Sequence, residues 1–128
     1  MSSALEQFRD QAYVSLETYK KSGQGVPTPV WFCIDHGVMY VSAPTHTGKI
    51  KRIRNNSQVR IAACNAWGKI KGPWVEGRAR FADAAETQAA ERLLKKKYHV
   101  QRMVIDLVSK LRGWQSVMLA IELQQQTG

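Results

Sequence analysis

The residues best suited to chemistry lie in one stretch, Ser42 to Asn56 (SAPTHTGKIKRIRNN), which joins the end of a predicted strand to a predicted helix. A helix N-terminus offers unpaired backbone N–H groups and a positive dipole end to an anion. Six side chains could also bind this anion: Thr45, Thr47, Lys49, Lys51, Arg52 and Arg54. Lys49 and Arg52 are three residues apart and share a helix face. The stretch predicts a phosphate site, with a solvated basic helix face as the alternative.

A flat ring could bind beside this phosphate site. Pro29, Val30 and Trp31 on the second predicted strand, and Trp74 on a later one, supply apolar and aromatic surface. Proline has no backbone N–H, so backbone groups along the edge of this strand stay unpaired. These groups could meet the polar edges of a heteroaromatic ring. The alternative is that both tryptophans pack in the core, as aromatic residues commonly do.

Composition narrows the class of protein. The chain has 128 residues with 44% hydrophobic and 23% charged residues, which is typical of one folded domain spanning residues 1–128. Its formal charge of +9 favours an anionic partner. Cys33 and Cys64 lie in apolar stretches and are expected to be reduced and buried. There is no zinc-ligand spacing, no nucleophile motif and no membrane-spanning run, so we expect a cytoplasmic protein that relies on a cofactor.

The elements that position the site are mainly strands. Alternating or continuous apolar runs predict six, at Ala12–Lys20, Val26–Ile34, Val38–Ala43, Gln58–Ala66, Trp74–Ala82 and Trp114–Gln124. Helices are expected at Ser3 to about Gln11, at Thr47–Arg54 with Ile50 and Ile53 turned into the core, and from a capping box at Asp83 and Glu86 to about Leu111, with a break near His99. Hairpin spacing with a few flanking helices predicts a mainly β, six-stranded antiparallel barrel of Greek-key type.

Three motifs, in this order along the chain, resemble those of a known family. TPVWF, then SAPTHTGKIKRIRNNSQVRIAAC, then GPWVEGRARF, together covering about residues 13 to 83, resemble the pyridoxamine 5′-phosphate oxidase-like split β-barrel superfamily. The chain is most similar to its branch of small oxidoreductases that use the deazaflavin coenzyme F-420. The resemblance implies a homodimer that binds FMN or F-420 at its interface and transfers a hydride to or from a small conjugated organic substrate.

The same resemblance implies roles for individual residues. The cofactor phosphate would be held by Thr47, Lys49, Lys51 and Arg52. Pro29, Val30, Trp31, Ser42 and Ala43 would flank the ring, and Trp74 would approach it from the other subunit. No residue is expected to act as a catalytic acid, since the cofactor itself carries the hydride.

Two departures from the family pattern argue against oxidation of pyridoxamine phosphate. Gly48 stands where those oxidases have an arginine, and their C-terminal Trp-Arg signature is missing. The basic surface provided by Arg54, Lys69 and Lys71 favours the anionic tail of F-420 slightly over FMN. Two other functions stay open: a flavin-binding protein without turnover, serving in storage or stress sensing, and, ranked last, a nucleic-acid-binding barrel.

Overall fold

The computed structural model describes residues 3–113 and 115–124, with the side chains of residues 3, 4, 100–102 and 109 excepted. In chain order the elements are α1 (Ser3–Glu6), β1 (Tyr13–Tyr19), β2 (Gly25–Val30), β3 (Cys33–Asp35), β4 (Val38–Pro44), α2 (Gly48–Asn55), β5 (Gln58–Cys64), β6 (Val75–Phe81), α3 (Ala84–Arg112) and β7 (Ser116–Leu123). Mainly β architecture was predicted and is confirmed. Trp114, which opened the last predicted strand, lies outside the described residues.

The strands form one antiparallel sheet in the order β2-β1-β5-β6-β7-β4-β3. Only Trp31 and Phe32 separate β2 at one edge from β3 at the other. Three peptide units span at most about 11 Å, so the sheet curls into a half-barrel until its edges nearly meet. We call this meeting of the edges, formed by residues 30–33, the seam.

The predicted count of six strands was wrong by one. The apolar run from Val26 to Ile34 is interrupted at the seam, because its first part pairs with β1 and its last part with β4. A continuous apolar run does not reveal that its two halves have different partners. The first helix is also shorter than predicted, since beyond Glu6 the chain continues in turns, with Phe8 N donating to Leu5 O and Gln11 N to Phe8 O.

Two local sequence signals are confirmed: Asp35-His36-Gly37 predicts a turn, and Pro27 and Pro29 predict a strand at a sheet edge or next to a ligand. His36 and Gly37 both have positive φ, 49° and 77°, as a two-residue hairpin between β3 and β4 requires. Pro27 and Pro29 lie on β2, an edge strand of the sheet, where a missing N–H costs no ladder bond.

The main core fills the inside of the curled sheet. Ile50 and Ile53 of α2 are buried in it, as predicted from their spacing. They pack with residues from β1, β4, β5 and β7, including Leu16, Val41, Ile61, Leu119 and Ile121, all fully buried. Helix α2 therefore lies across the sheet with its apolar stripe inward and its cations elsewhere.

A second cluster joins α3 to the seam side of the sheet. Its members are Cys33, Tyr40, Ala90, Leu94, Tyr98, Met118 and Ala120. The predicted capping box begins α3, with Glu86 N donating to Asp83 Oδ1 (2.8 Å) and Asp83 N donating to Glu86 Oε1 (3.1 Å). The helix is interrupted at His99 (φ 14°, ψ −93°), as expected. No helix among the described residues is long and apolar enough to cross a membrane.

Candidate functional site

A cleft of about 250 Å³ opens beside the seam; we call it the seam cleft. Its walls come from β1, β2, the seam, β4, α2 and both halves of α3. The lining residues are Tyr13, Pro29, Val30, Trp31, Ser42, Lys49, Leu94 and Ile105. Five of the ten residues predicted for the site, Pro29, Val30, Trp31, Ser42 and Lys49, therefore line a single cleft.

Lys49 is the cation of this cleft. It lies in the first turn of α2, where the leading backbone N–H groups have no acceptor in a preceding turn. Burial, and secondarily the positive charge of Arg52, lowers the pKa of the Lys49 ammonium below its ordinary value. Both causes disfavour an isolated positive charge there, and an anion brought into the cleft would offset both. The helix start and Lys49 thus form a place where a phosphate would be stabilised.

Stacking and hydrogen bonds hold the ring wall of the cleft, which is formed by Trp31. Trp31 stacks on Tyr98, with ring centroids 4.6 Å apart and an interplanar angle of 9°. The Tyr98 hydroxyl donates to Ala12 O (2.8 Å) and accepts from Phe32 N (3.2 Å). These bonds fix the backbone of the seam, where ladder partners are missing. A flat ligand in the cleft would contact Trp31, whose ring is already held in place by Tyr98.

The other predicted phosphate residues are arranged differently from Lys49. Thr47 is the N-cap residue of α2, but its hydroxyl donates to Pro44 O (2.8 Å) and makes no cap bond. Arg52 donates from Nε to Thr18 Oγ1 (2.7 Å) and so is anchored to β1. Lys51 is exposed on the far side of the helix. Thr45, a further predicted donor, bonds Gln115 O through its hydroxyl (3.2 Å).

Two predicted ring contacts do not line the seam cleft. Ala43 points into the main core and is 1% exposed. Trp74 does not line the cleft; the Arg60 guanidinium covers its ring at 4.3 Å and is itself paired with Glu17. Trp74 is therefore a cation–π partner of Arg60 and makes no contact in the cleft.

Several solved structures share the fold of this chain. A protein from Listeria innocua assigned provisionally as a pyridoxamine 5′-phosphate oxidase matches with 17% identity and a TM-score of 0.59, over 94% of this chain and 88% of its own. The chain has the pyridoxamine 5′-phosphate oxidase-like split-barrel fold. No family model and no curated protein sequence matches it.

Two further solved structures with a similar fold are named for a cofactor. An FAD-binding protein from Mesorhizobium loti has 19% identity and a TM-score of 0.65, covering 96% of this chain and 89% of that one. An F420 reductase has 16% identity and a TM-score of 0.58, covering 93% and 92%. Identities this low establish the fold of the present chain; its cofactor has to be argued from its own residues.

The position of Arg52 explains why a glycine fits at position 48. A Cβ built at Gly48 would lie 2.7 Å from a terminal nitrogen of Arg52. The guanidinium of Arg52 thus covers the first residue of α2, while its Nε bonds Thr18. In this chain a glycine next to Lys49 leaves room for that guanidinium, and the helix start gains a second positive charge close to Lys49.

Sequence reasoning missed the part of the site that α3 supplies. Leu94 and Ile105 line the cleft from either side of the break at His99, and Tyr98 supports Trp31 from behind. Tyr13, at the start of β1, was also missed. The helical spacing of Leu94 and Tyr98 marks them as residues of one face, but nothing local indicates that this face packs against the seam.

Proposed function

We propose that this protein is an oxidoreductase that binds FMN or the deazaflavin coenzyme F-420, with the phosphate at the start of α2 and the ring in the seam cleft. The observation that carries the proposal is the convergence of Lys49 with Pro29, Val30, Trp31 and Ser42 in one cleft. The chemistry supports it, since an amphipathic cleft with one desolvated cation suits a planar, apolar ring joined to a phosphate.

In this proposal the protein binds and orients the cofactor. When bound, a reduced flavin or deazaflavin supplies the hydride. Trp31 and Val30 would limit where the ring lies, Lys49 and Arg52 would neutralise the phosphate, and Leu94 and Ile105 would exclude water. No acid of this chain is assigned to the reaction, and a small conjugated substrate would stack on the exposed face of the ring.

Binding is tested by titrating the purified protein with FMN and F-420 in parallel, by fluorescence and calorimetry. Replacing Lys49 by Met removes one charge-assisted bond, worth about 1.5–3 kcal/mol, so affinity should fall roughly 10- to 150-fold. Lys51→Met is the matched control on the same helix, because Lys51 is exposed and outside the cleft. No binding of either cofactor to the wild type, or equal losses in the two variants, would contradict the proposed site.

The choice between cofactors depends on the loop from Asn65 to Trp74. This loop lies next to the cleft, since Gly68 approaches Pro29 so closely that an added Cβ would be 3.7 Å from Pro29 Cδ. Lys69 and Lys71 on the loop are exposed and could bind the anionic tail of F-420, which FMN lacks. Replacing both lysines by Met should weaken F-420 severalfold and leave FMN unchanged. An equal effect on both cofactors would remove the argument for F-420.

A second copy of the chain would complete the site. About 250 Å³ is below the usual range of roughly 300–1,000 Å³ for complete ligand pockets. Beside the cleft, the second half of α3 exposes an apolar stripe at helical spacing: Val104, Leu107, Val108 and Leu111. Such a stripe is typical of a surface covered by a partner. We propose a homodimer in which this stripe is buried and Trp74 reaches the partner's cleft.

Light scattering tests the dimer. Leu107→Glu should produce a monomer with weakened cofactor affinity, whereas Lys110→Glu, an exposed polar position on the same helix, should leave the dimer intact.

Catalytic turnover needs its own test. With a panel of quinones, nitro compounds and linear tetrapyrroles, the protein should show substrate-dependent oxidation of the reduced cofactor. Tight binding without any turnover would instead favour the storage or sensing function.

A further inference from the structure

A second cleft lies on the other side of the seam; we call it the basic cleft. It measures about 310 Å³ and is lined by Arg9, Phe32, Cys33, Ile34, Leu93, Lys96 and Lys97. Its floor is apolar: Phe32 and Cys33 are almost fully buried, and Leu93 packs against the cluster that contains Cys33. Its rim carries three cations. None of these residues lines the seam cleft.

The Lys97 ammonium, at the rim, packs against Phe32 of the floor. Its Nζ lies 3.4 Å from the centroid of the Phe32 ring and donates to Phe32 O at 3.2 Å. Burial lowers the pKa of Lys97 to about 8. Among the described residues, neither Lys97 nor Lys96 has a carboxylate within ion-pair distance, whereas Arg9 is paired with Glu6 at 2.9 Å. Two cations of the rim are therefore available to an anion.

We propose that the basic cleft binds an organic anion with an apolar body, such as a medium-chain carboxylate. The apolar tail would lie on Phe32, Ile34 and Leu93, and the carboxylate would pair with Lys97 and Lys96. Inorganic phosphate would leave the apolar floor uncovered, and a neutral lipid would leave the ammonium groups unpaired, so each should bind less well. The cleft volume, near the lower end for small-molecule sites, suits a chain of about ten carbons.

The first test compares two probes with the same tail, decanoate and decylammonium, by calorimetry on the full-length protein. Decanoate should bind and decylammonium should not. Lys97→Met should weaken decanoate at least roughly tenfold, as loss of a charge-assisted bond predicts. Lys95→Met is the matched control, because Lys95 is an exposed lysine of the same helix that does not line the cleft. Lys49→Met should keep decanoate binding, which separates this proposal from the cofactor site.

A second measurement needs no variant. Cys33 lies in the floor of the basic cleft and Cys64 does not, while both are buried thiols. Decanoate should therefore slow alkylation of Cys33 by iodoacetamide, mapped by mass spectrometry, without slowing alkylation of Cys64. The proposal is overturned if decanoate does not bind, if Lys95→Met weakens it as much as Lys97→Met, or if both thiols are protected equally.

Discussion

Replacing Tyr98 by Phe removes one oxygen from the seam and keeps the ring that stacks on Trp31. In the wild type that oxygen accepts a bond from Phe32 N (3.2 Å) and donates one to Ala12 O (2.8 Å). Ala12 is exposed, so water can replace the hydroxyl there. Phe32 is fully buried, so its N–H would lose its partner in an apolar environment. The variant therefore costs one buried, unsatisfied donor.

The expected loss of stability follows from that one donor. A buried polar group left without a partner costs about 1–3 kcal/mol. With an unfolding entropy of roughly 2.1 cal/mol/K per residue, the melting temperature of a 128-residue chain should fall by about 4–11 °C. Burial raises the pKa of Tyr98 to about 12, so the hydroxyl keeps its proton and the loss should be the same from pH 6 to pH 9.

Urea unfolding followed by circular dichroism, together with thermal melts, measures this loss. Tyr13→Phe is the control, because Tyr13 is only half-buried, and it should change stability by less than about 0.5 kcal/mol. Tyr98→Leu removes the stacked ring as well and should be worse than Tyr98→Phe. If Tyr98→Phe is as stable as the wild type, the hydroxyl does not hold the seam, and the role given to its two hydrogen bonds is refuted.

Three further changes test other parts of the structure. Gly77→Ala should destabilise the fold by about 1–3 kcal/mol in urea, because its Cβ would lie 2.8 Å from the backbone oxygen of Glu122. Glu86 bonds Arg80 and the start of α3, which lowers its pKa from 4.5 to about 2; wild-type stability should fall as pH drops through that interval, and Glu86→Gln should lack this component. Lys97, with its pKa lowered from 10.5 to about 8, loses its proton in the folded state first, so wild-type stability should rise with pH between those values, whereas Lys97→Met should not show the rise.

The sequence predicted the local elements well because their signals are local. Ile50 and Ile53 indicated the buried face of α2, Asp83 and Glu86 the start of α3, and His36-Gly37 a tight hairpin. Each of these depends on residues within one or two turns of chain. The break at the seam depends on pairing with β1 on one side and β4 on the other, and neither partner can be read from the run itself.

The sequence predicted the parts of the site that two short segments carry, residues 29–31 and 42–49. A family motif groups Lys49 with Lys51, yet residues two positions apart in a helix point about 200° apart around its axis. Only Lys49 can therefore face a cleft that lies on one side of α2, and Lys51 is exposed. The contribution of α3 needed tertiary structure, since Tyr98 meets Trp31 across 67 positions of sequence.

The seam explains why both clefts occur where they do. Between β2 and β3 the backbone leaves the sheet, so the polar groups of Phe32 have no ladder partner. They are satisfied instead by α3, with Tyr98 accepting from Phe32 N and Lys97 donating to Phe32 O. The same two side chains then serve different clefts: Tyr98 backs the ring wall of the seam cleft, and Lys97 lines the basic cleft. One turn of helix therefore supports both sites, since Tyr98 and Lys97 bond the backbone of Phe32, the residue next to Trp31.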